Sequence, residues 1–146
     1  MTATTTWTEH ALSTLQAAGY RRGGARTAVV EHLGAQPCTV TAQDIENALR
    51  RKGRAVGRAS VYRVLDLLAE LGLASRIEVG QGMARYERVE PSGDHHHHMI
   101  CDRCGDVLPF EDRELERALD HLADRLSFQV ADHEVLLHGA CKDCRR

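Results

Sequence analysis

The sequence predicts an α+β protein made of an N-terminal winged helix-turn-helix domain and a small C-terminal α/β domain. Three observations predict this organisation. Apolar residues recur at helical spacing through residues 8–71, two short strands then surround the turn Gly80-Gln81-Gly82, and new strand and helix patterns follow a polar hinge. We place the domains at residues 1–89 and 95–146, with the hinge at residues 90–94.

Four helices fill most of the N-terminal domain. Gly19, Gly34 and Gly72 each follow an apolar periodic segment, and glycine at that place closes a helix. Thr41 and Asp44 form a capping-box pattern that opens the third helix. The predicted helices span residues 8–18, 25–33, 41–54 and 58–71, and the third range includes the basic turn that closes that helix.

The third and fourth helices have the layout of a helix-turn-helix, because a short basic turn that contains glycine joins them. Strands are predicted at residues 74–79 and 84–89, directly after the fourth helix. A hairpin in that place turns the helix-turn-helix into a winged helix.

Positive charge concentrates in the N-terminal domain, although the whole chain carries a net charge of −2. Between Arg21 and Arg63 there are nine Lys and Arg against three Asp and Glu. Beside a helix-turn-helix, this excess indicates double-stranded DNA as a partner, with an ordinary solvated surface as the alternative. We expect phosphate contacts from Arg21, Arg22, Arg26, Arg51, Lys52 and Arg54, and base or near-base contacts from Arg58, Ser60, Tyr62 and Arg63.

Two Cys-x-x-Cys pairs dominate the C-terminal domain. The pairs Cys101/Cys104 and Cys141/Cys144 are thirty-six residues apart and offer four thiolates, the set that closes a tetrahedral structural zinc site. A redox or disulfide pair is the alternative, but two pairs in a chain without a visible export signal favour zinc. Strands are predicted at residues 95–100, 106–110 and 128–138, and a helix at 112–126 is expected to bury Leu115, Ala118, Leu119, Leu122 and Leu126.

Four consecutive histidines, His95 to His98, precede the first cysteine pair. On a strand, successive side chains point to opposite faces, so His95 and His97 would share one face and His96 and His98 the other. One short strand can therefore serve two metal sites. A solvated polar segment is the alternative, but the run is internal and abuts an apolar stretch.

Composition narrows the compartment and the class of function. No apolar run reaches membrane-spanning length, and the N-terminus lacks a basic stretch followed by an apolar core. We expect a cytoplasmic protein with no membrane partner and no small organic substrate. A thiol or zinc enzyme is a competing class, but four thiolates fill the zinc shell and no hydrolase or phosphate-loop motif is visible. A zinc-binding module without a DNA role is a further alternative.

The motifs together resemble the ferric uptake regulator (Fur) family along nearly the whole chain. The resemblance is carried by residues 57–65 (Gly-Arg-Ala-Ser-Val-Tyr-Arg-Val-Leu), Tyr86-Glu87, residues 95–104, His133 and residues 139–144. It implies a metal-responsive DNA-binding repressor of metal-homeostasis genes, homodimeric through its C-terminal domain.

The resemblance also implies three metal sites. Structural zinc falls on the four paired cysteines, Cys101, Cys104, Cys141 and Cys144. A site in the dimerisation domain falls on His95, His97, Glu116 and His133. A regulatory site at the hinge, for Fe(II) or Zn(II), falls on Glu87, His96 and His98.

Two positions depart from the family's pattern at the hinge site. Thr39 stands where a histidine is usual, next to Cys38, and Pro109 stands where an acidic residue is usual. A carboxylate with two imidazoles suits ferrous iron, whereas fewer carboxylates and a nearby thiol favour four-coordinate zinc. Both metals therefore stay open, and so does a role for Cys38 as a ligand.

Overall fold

The computed structural model describes residues 5–145, and the chain divides into two compact units, Met1–Asp94 and His95–Arg146. The first unit contains α1 (Trp7–Ala17), α2 (Gly24–Gly34), α3 (Ala42–Arg51), α4 (Arg58–Glu70), β1 (Ala74–Gly80) and β2 (Met83–Arg88). The second contains β3 (His97–Cys101), β4 (Val107–Phe110), α5 (Arg113–Arg125) and β5 (Leu136–Gly139). The predicted α+β class is confirmed.

Side-chain caps fix where two helices of the first unit begin. At α3, Thr41 Oγ1 accepts a hydrogen bond from the Asp44 N–H (3.0 Å), and the Asp44 carboxylate accepts one from the Thr41 N–H (3.1 Å). The predicted capping box is therefore present. The same reciprocal pair joins Thr6 and Glu9 at α1, a capping box that was not predicted from the sequence.

The core of the first unit lies where α1 to α4 meet the β1–β2 hairpin. Trp7 is buried in it, and its indole N–H donates to the Leu73 carbonyl at 3.1 Å, which joins the first helix to the start of the hairpin. The fully buried members include Ala11, Val29, Val30, Leu33, Ile45, Leu49, Val61, Leu65 and Leu68. They come from all four helices, so burial fixes the helix-turn-helix against the other two helices.

The wing is an antiparallel hairpin in which Ala74 pairs with Arg88. Its turn contains three consecutive residues with positive φ, Gly80, Gln81 and Gly82, which explains why glycines flank the turn. Val40 and Tyr86 exchange backbone hydrogen bonds of 2.8 and 2.7 Å. That bridge holds the loop before α3 against β2.

The second unit is a three-stranded sheet with strand order β4-β3-β5 and one helix, α5. β3 pairs antiparallel with β4 and parallel with β5, and the parallel register places Cys101 beside Gly139. Because β3 ends at the first cysteine pair and β5 ends just before the second, the central strand pairing brings the two Cys-x-x-Cys turns to one end of the sheet.

Two predictions for the second unit are wrong. The strand predicted at residues 128–138 is reduced to β5, Leu136–Gly139, because residues 127–135 run as an irregular connection. The helix predicted to bury an apolar stripe fully buries none of its residues: Leu115 and Leu119 are half-buried, and Ala118, Leu122 and Leu126 are exposed, because the rest of the described chain covers that side of α5 only in part.

Across residues 5–145, none of the five helices combines the length and the apolar character that crossing a bilayer requires.

Candidate metal centres and nucleic-acid surface

The two Cys-x-x-Cys turns meet in one cluster in the second unit. The Sγ atoms of Cys101, Cys104, Cys141 and Cys144 all lie within 4.8 Å of one another, and those of Cys104 and Cys141 are 3.8 Å apart. Zinc–sulfur bonds of about 2.3 Å in a tetrahedron place the sulfurs about 3.8 Å apart. The cluster therefore fits a structural zinc ion.

The protonation of the four thiols also favours a cation at this place. Backbone N–H groups of Cys104 and Cys141 donate to the Cys101 sulfur and lower its pKa to about 6. The hydrogen bond to the Cys141 thiol, together with burial, raises the pKa of Cys144 to about 12. Four adjacent thiolates repel one another, so a divalent cation is needed to hold all four deprotonated at neutral pH.

A second cluster joins β3, α5 and the connection that precedes β5. Glu116 lies at its centre, with its carboxylate oxygens 2.5 Å from His97 Nε2 and 2.6 Å from His133 Nε2. His95 Nε2 lies 3.3 Å from His133 Nε2 and 3.8 Å from the carboxylate. The ligand atoms of all four residues lie within 4.8 Å of one another.

The donor set of this second cluster suits a divalent transition metal. Three imidazoles and one carboxylate match the ligands that zinc and ferrous iron take, and 3.3 Å is about the ligand–ligand spacing of four-coordinate zinc. The hydrogen bond with His97 lowers the pKa of the Glu116 carboxyl, so the carboxylate is available as a ligand. The contact between Glu116 and His97 also links α5 to β3.

The alternation predicted for the histidine run is present. The rings of His95 and His97 are 5.1 Å apart, centroid to centroid, and those of His96 and His98 are 4.8 Å apart. The first pair belongs to the Glu116 cluster. The second pair lies together in the second unit, whereas Glu87 lies on β2 in the first.

The first unit places Cys38 near Glu87. The Cys38 sulfur lies within 4.8 Å of a Glu87 carboxylate oxygen, because the Val40–Tyr86 bridge aligns their backbones. Thr39, at the family's usual histidine position, is buried, and its hydroxyl accepts a hydrogen bond from Arg85 Nε at 2.8 Å.

The residues predicted to contact DNA all lie on the first unit. Arg21 and Arg22 are exposed in the connection between α1 and α2. Arg26 follows on α2, with its guanidinium 5.4 Å above the Tyr20 ring. The remaining positions lie at the end of α3, in the turn that follows, and in the first two turns of α4; they are Arg51, Lys52, Arg54, Arg58, Ser60, Tyr62 and Arg63.

Several of these positions have hydrogen-bond or ion-pair partners. Arg63 Nη2 donates to the Ser60 hydroxyl at 2.9 Å, and Arg54 pairs with Glu31 at 2.7 Å on an exposed surface. Arg58 pairs with Glu46, a residue that was not among the predicted site residues. Its signal was the Glu46/Arg50 spacing of four residues, which places an acid next to a base on one helix face.

A model of the ferric uptake regulator family matches residues 17–138. The chain belongs to this family. It is 34% identical over 106 residues to the ferric uptake regulation protein of Neisseria meningitidis (73% of this chain, 72% of that protein). It is 33% identical over 131 residues to the zinc uptake regulation protein of Mycobacterium tuberculosis (90% and 99%).

Solved structures of this family have the same fold. The Fur protein of Helicobacter pylori, described as having three functional metal-binding sites, superposes with a TM-score of 0.82 at 25% identity, over 95% of this chain and 94% of that one. Fur family proteins are metal-sensing transcriptional regulators and not enzymes. The predicted family, function and non-enzymatic class are confirmed.

Proposed function

We propose that this Fur family regulator is a repressor that binds operator DNA as a homodimer when it is loaded with Fe(II) or Zn(II), and so controls metal-homeostasis genes. The observation that carries the proposal is the Glu116 cluster. A second set of metal ligands lies in the same unit as the four-cysteine cluster, which can itself fill a zinc shell. The Glu116 cluster therefore supports metal loading beyond the structural zinc, while we assign the sensed ion to Glu87, His96 and His98.

The DNA-binding part of the proposal rests on the charge of the first unit. The N-terminal turns of α4 present Arg58, Tyr62 and Arg63 on an exposed face. Arg26 of α2 lines one surface pocket together with Ser60 and Arg63, and Arg54 lines another together with Ser60. Phosphate contacts from the surrounding cations would position the unit, and the α4 side chains would contact base edges.

The homodimer is supported by apolar surface on the second unit. Leu108, Leu126 and Phe128 are each at least 60% exposed, and Leu122 and Leu137 are also exposed. A set of large exposed apolar side chains on a unit this small is typical of a protein interface. A second copy of the chain is the partner that the family implies.

For the sensed metal, we propose ligation by Glu87, His96 and His98, as the family motif implies. Glu87 belongs to the first unit and the histidines to the second, so a shared ion would restrict how the units move. Restricting the units raises the fraction of dimers whose two α4 helices match the operator spacing. Couplings of about 1–3 kcal/mol are typical for such linkage.

We favour zinc over ferrous iron as the sensed metal. Cys38 brings a thiol within 4.8 Å of the Glu87 carboxylate, and thiolate ligands select zinc. Thr39 is held by Arg85, and Pro109, which pairs with His98 in the sheet register, has no side-chain ligand atom. The longer match to the zinc uptake regulation protein agrees with this choice. Free thiols and a DNA partner suggest the cytoplasm as the compartment.

The test is a metal titration of DNA binding. Protein with its four-cysteine site already filled is titrated with Zn(II), and anaerobically with Fe(II), while binding to a fluorescent duplex is followed by anisotropy. The duplex is the sequence that wild-type protein enriches from a randomised pool. For each metal, the free concentration that tightens DNA binding is divided by the buffered cellular concentration of that metal. We expect this ratio to be lower for Zn(II) than for Fe(II).

Glu87→Ala should keep the dimer and blunt the metal response. Glu78→Ala, on β1 of the same hairpin, is the matched control and should respond like wild type. An unchanged metal response in Glu87→Ala removes that residue from the sensor. Absent or salt-independent DNA binding in the loaded wild type favours instead a zinc-binding module without a DNA role.

A further inference from the structure

Glu46 has an unusual place beside the residues proposed to contact DNA. It lies on α3 and its side chain is only 12% exposed, because two arginines cover its carboxylate. One oxygen accepts from Arg50 Nη2 at 3.0 Å and the other from Arg58 Nε at 2.9 Å. Arg50 is on the same helix, whereas Arg58 is the first residue of α4.

Arg58 needs such a partner because of where it lies on the helix. The N-terminus of a helix carries partial positive charge, which disfavours a cation in the first turn. The N-cap of α4, Gly57, has no side chain to accept hydrogen bonds from the first turn. The Glu46 carboxylate supplies negative charge at this point and opposes the repulsion.

The contact also determines which part of the arginine can bind DNA. Glu46 engages Nε, on the side of the guanidinium, while the Arg58 side chain stays 57% exposed. Arginine reads guanine, or grips a phosphate, through two parallel N–H groups. A guanidinium held through Nε has its orientation fixed before DNA arrives, so less conformational entropy is lost on binding.

We propose that Glu46 is a positioning residue that fixes Arg58 for a sequence-specific contact at the start of the recognition helix. This inference rests on the proposed DNA-binding function. Glu46 itself touches no DNA. Through Arg58, it would raise affinity for the operator more than for other sequences.

A purely electrostatic role for Glu46 predicts that its neutralisation tightens DNA binding without changing the preference for the operator. A carboxylate near a polyanion lowers affinity for every DNA sequence. If Glu46 acts only in this way, its neutralisation tightens binding to operator and scrambled duplexes alike. If it only joins α3 to α4, its neutralisation lowers thermal stability and leaves the ratio of the two affinities unchanged.

The experiment compares wild type, Glu46→Gln, Arg58→Lys and the double variant on the selected duplex and on a scrambled duplex of the same length. Losing a bidentate base contact costs about 1–3 kcal/mol, so Arg58→Lys should lower the operator-to-scrambled ratio by about 5- to 150-fold. Glu46→Gln should lower this ratio by a smaller factor. In the double variant it should add nothing to the effect of Arg58→Lys, because the two residues act through one contact.

Glu31→Gln is the matched control. It removes the same charge from an exposed ion pair with Arg54, and should change affinity for both duplexes by the same factor. Thermal unfolding of each variant separates loss of folding from loss of specificity. A Glu46→Gln ratio equal to that of wild type overturns the inference, and so do independent effects in the double variant. Failure of wild type to prefer any duplex overturns instead the proposed function.

Discussion

Replacing one ligand of the four-cysteine site should unfold the second unit while the first unit stays folded. The substitution is Cys104→Ser in the full-length protein. Cys104 is exposed, so the side chain contributes little packing, and the change acts through the metal. Serine has nearly the same size but is a poor zinc ligand at neutral pH.

The expected magnitude follows from how little apolar surface the second unit buries. Among residues 95–145, the buried apolar residues are Ile100 and Cys101, next to the buried His97 and His98. Burying one isoleucine contributes about 1.5–3 kcal/mol. Zinc bound by four ligands contributes about 10–16 kcal/mol in zinc-finger peptides, which exceeds the net stability of most domains. Without zinc, the second unit therefore has too little buried apolar surface to keep its sheet folded.

Hydrogen exchange read by mass spectrometry is the suitable assay, because it reports each unit separately in the intact chain. Peptides covering β3, β4 and β5 should lose protection in Cys104→Ser, together with zinc content and dimer stability. Peptides covering α1 to α4 should exchange as in wild type. Cys38→Ser, the same substitution outside the cluster, should keep protection in both units.

Removal of zinc from wild-type protein with a chelator tests whether the second unit depends on zinc for folding. Wild-type protein stripped of zinc should show the same loss of protection over residues 97–139 as Cys104→Ser. Retained protection in zinc-free wild type would mean that the sheet is stable through other contacts, and the estimate from buried area would be wrong.

Three further predictions concern the first unit. Arg63→Ala should weaken binding to the selected duplex more than to a scrambled one, measured by anisotropy; equal losses would make Arg63 a phosphate contact. Burial, and then Lys52, lower the pKa of His32, so the unfolded chain takes up its proton first and stability falls as the pH drops below about 6.5. Urea unfolding at pH 7.5 and 5.5 should show that the free energy of unfolding decreases less between these pH values in His32→Gln than in wild type. Gly34→Ala should destabilise by about 1–3 kcal/mol, because the new Cβ meets Thr8 Oγ1 and lies 3.1 Å from Trp7 Cε3, and adding Thr8→Ala should restore most of the stability; a neutral Gly34→Ala would show that Thr8 rotates away.

The features that the sequence predicted well depend on local patterns. The four helices of the first unit follow from apolar periodicity, terminal glycines and the Thr41/Asp44 box, and all of these act over a few residues. The alternation of the histidine run is local too, since it follows from the two-residue period of an extended chain. The ligand clusters of the second unit were predicted by spacing and family motif.

The contacts that the sequence did not predict join residues far apart in the chain. Arg58 meets Glu46 twelve positions away, and Arg85 meets Thr39 forty-six positions away. Each depends on how two elements are placed, which a pattern of single residues does not contain. The Arg85 contact occupies the hydroxyl of Thr39, which stands where the resemblance to the family implies a metal ligand.

Periodicity predicts that α5 buries its apolar side, but in the structure of one chain that side is largely exposed. Periodicity predicts which side of a helix is apolar but does not say what covers it. In α5 the predicted stripe is real, yet Leu126 is 66% exposed and the nearby Phe128 68%. Leaving such side chains in water forgoes about 1.5–3 kcal/mol each, which the proposed second copy would recover by covering them. The prediction that α5 buries this stripe is wrong for one chain, and the proposed homodimer is the assembly in which the same side chains would be buried.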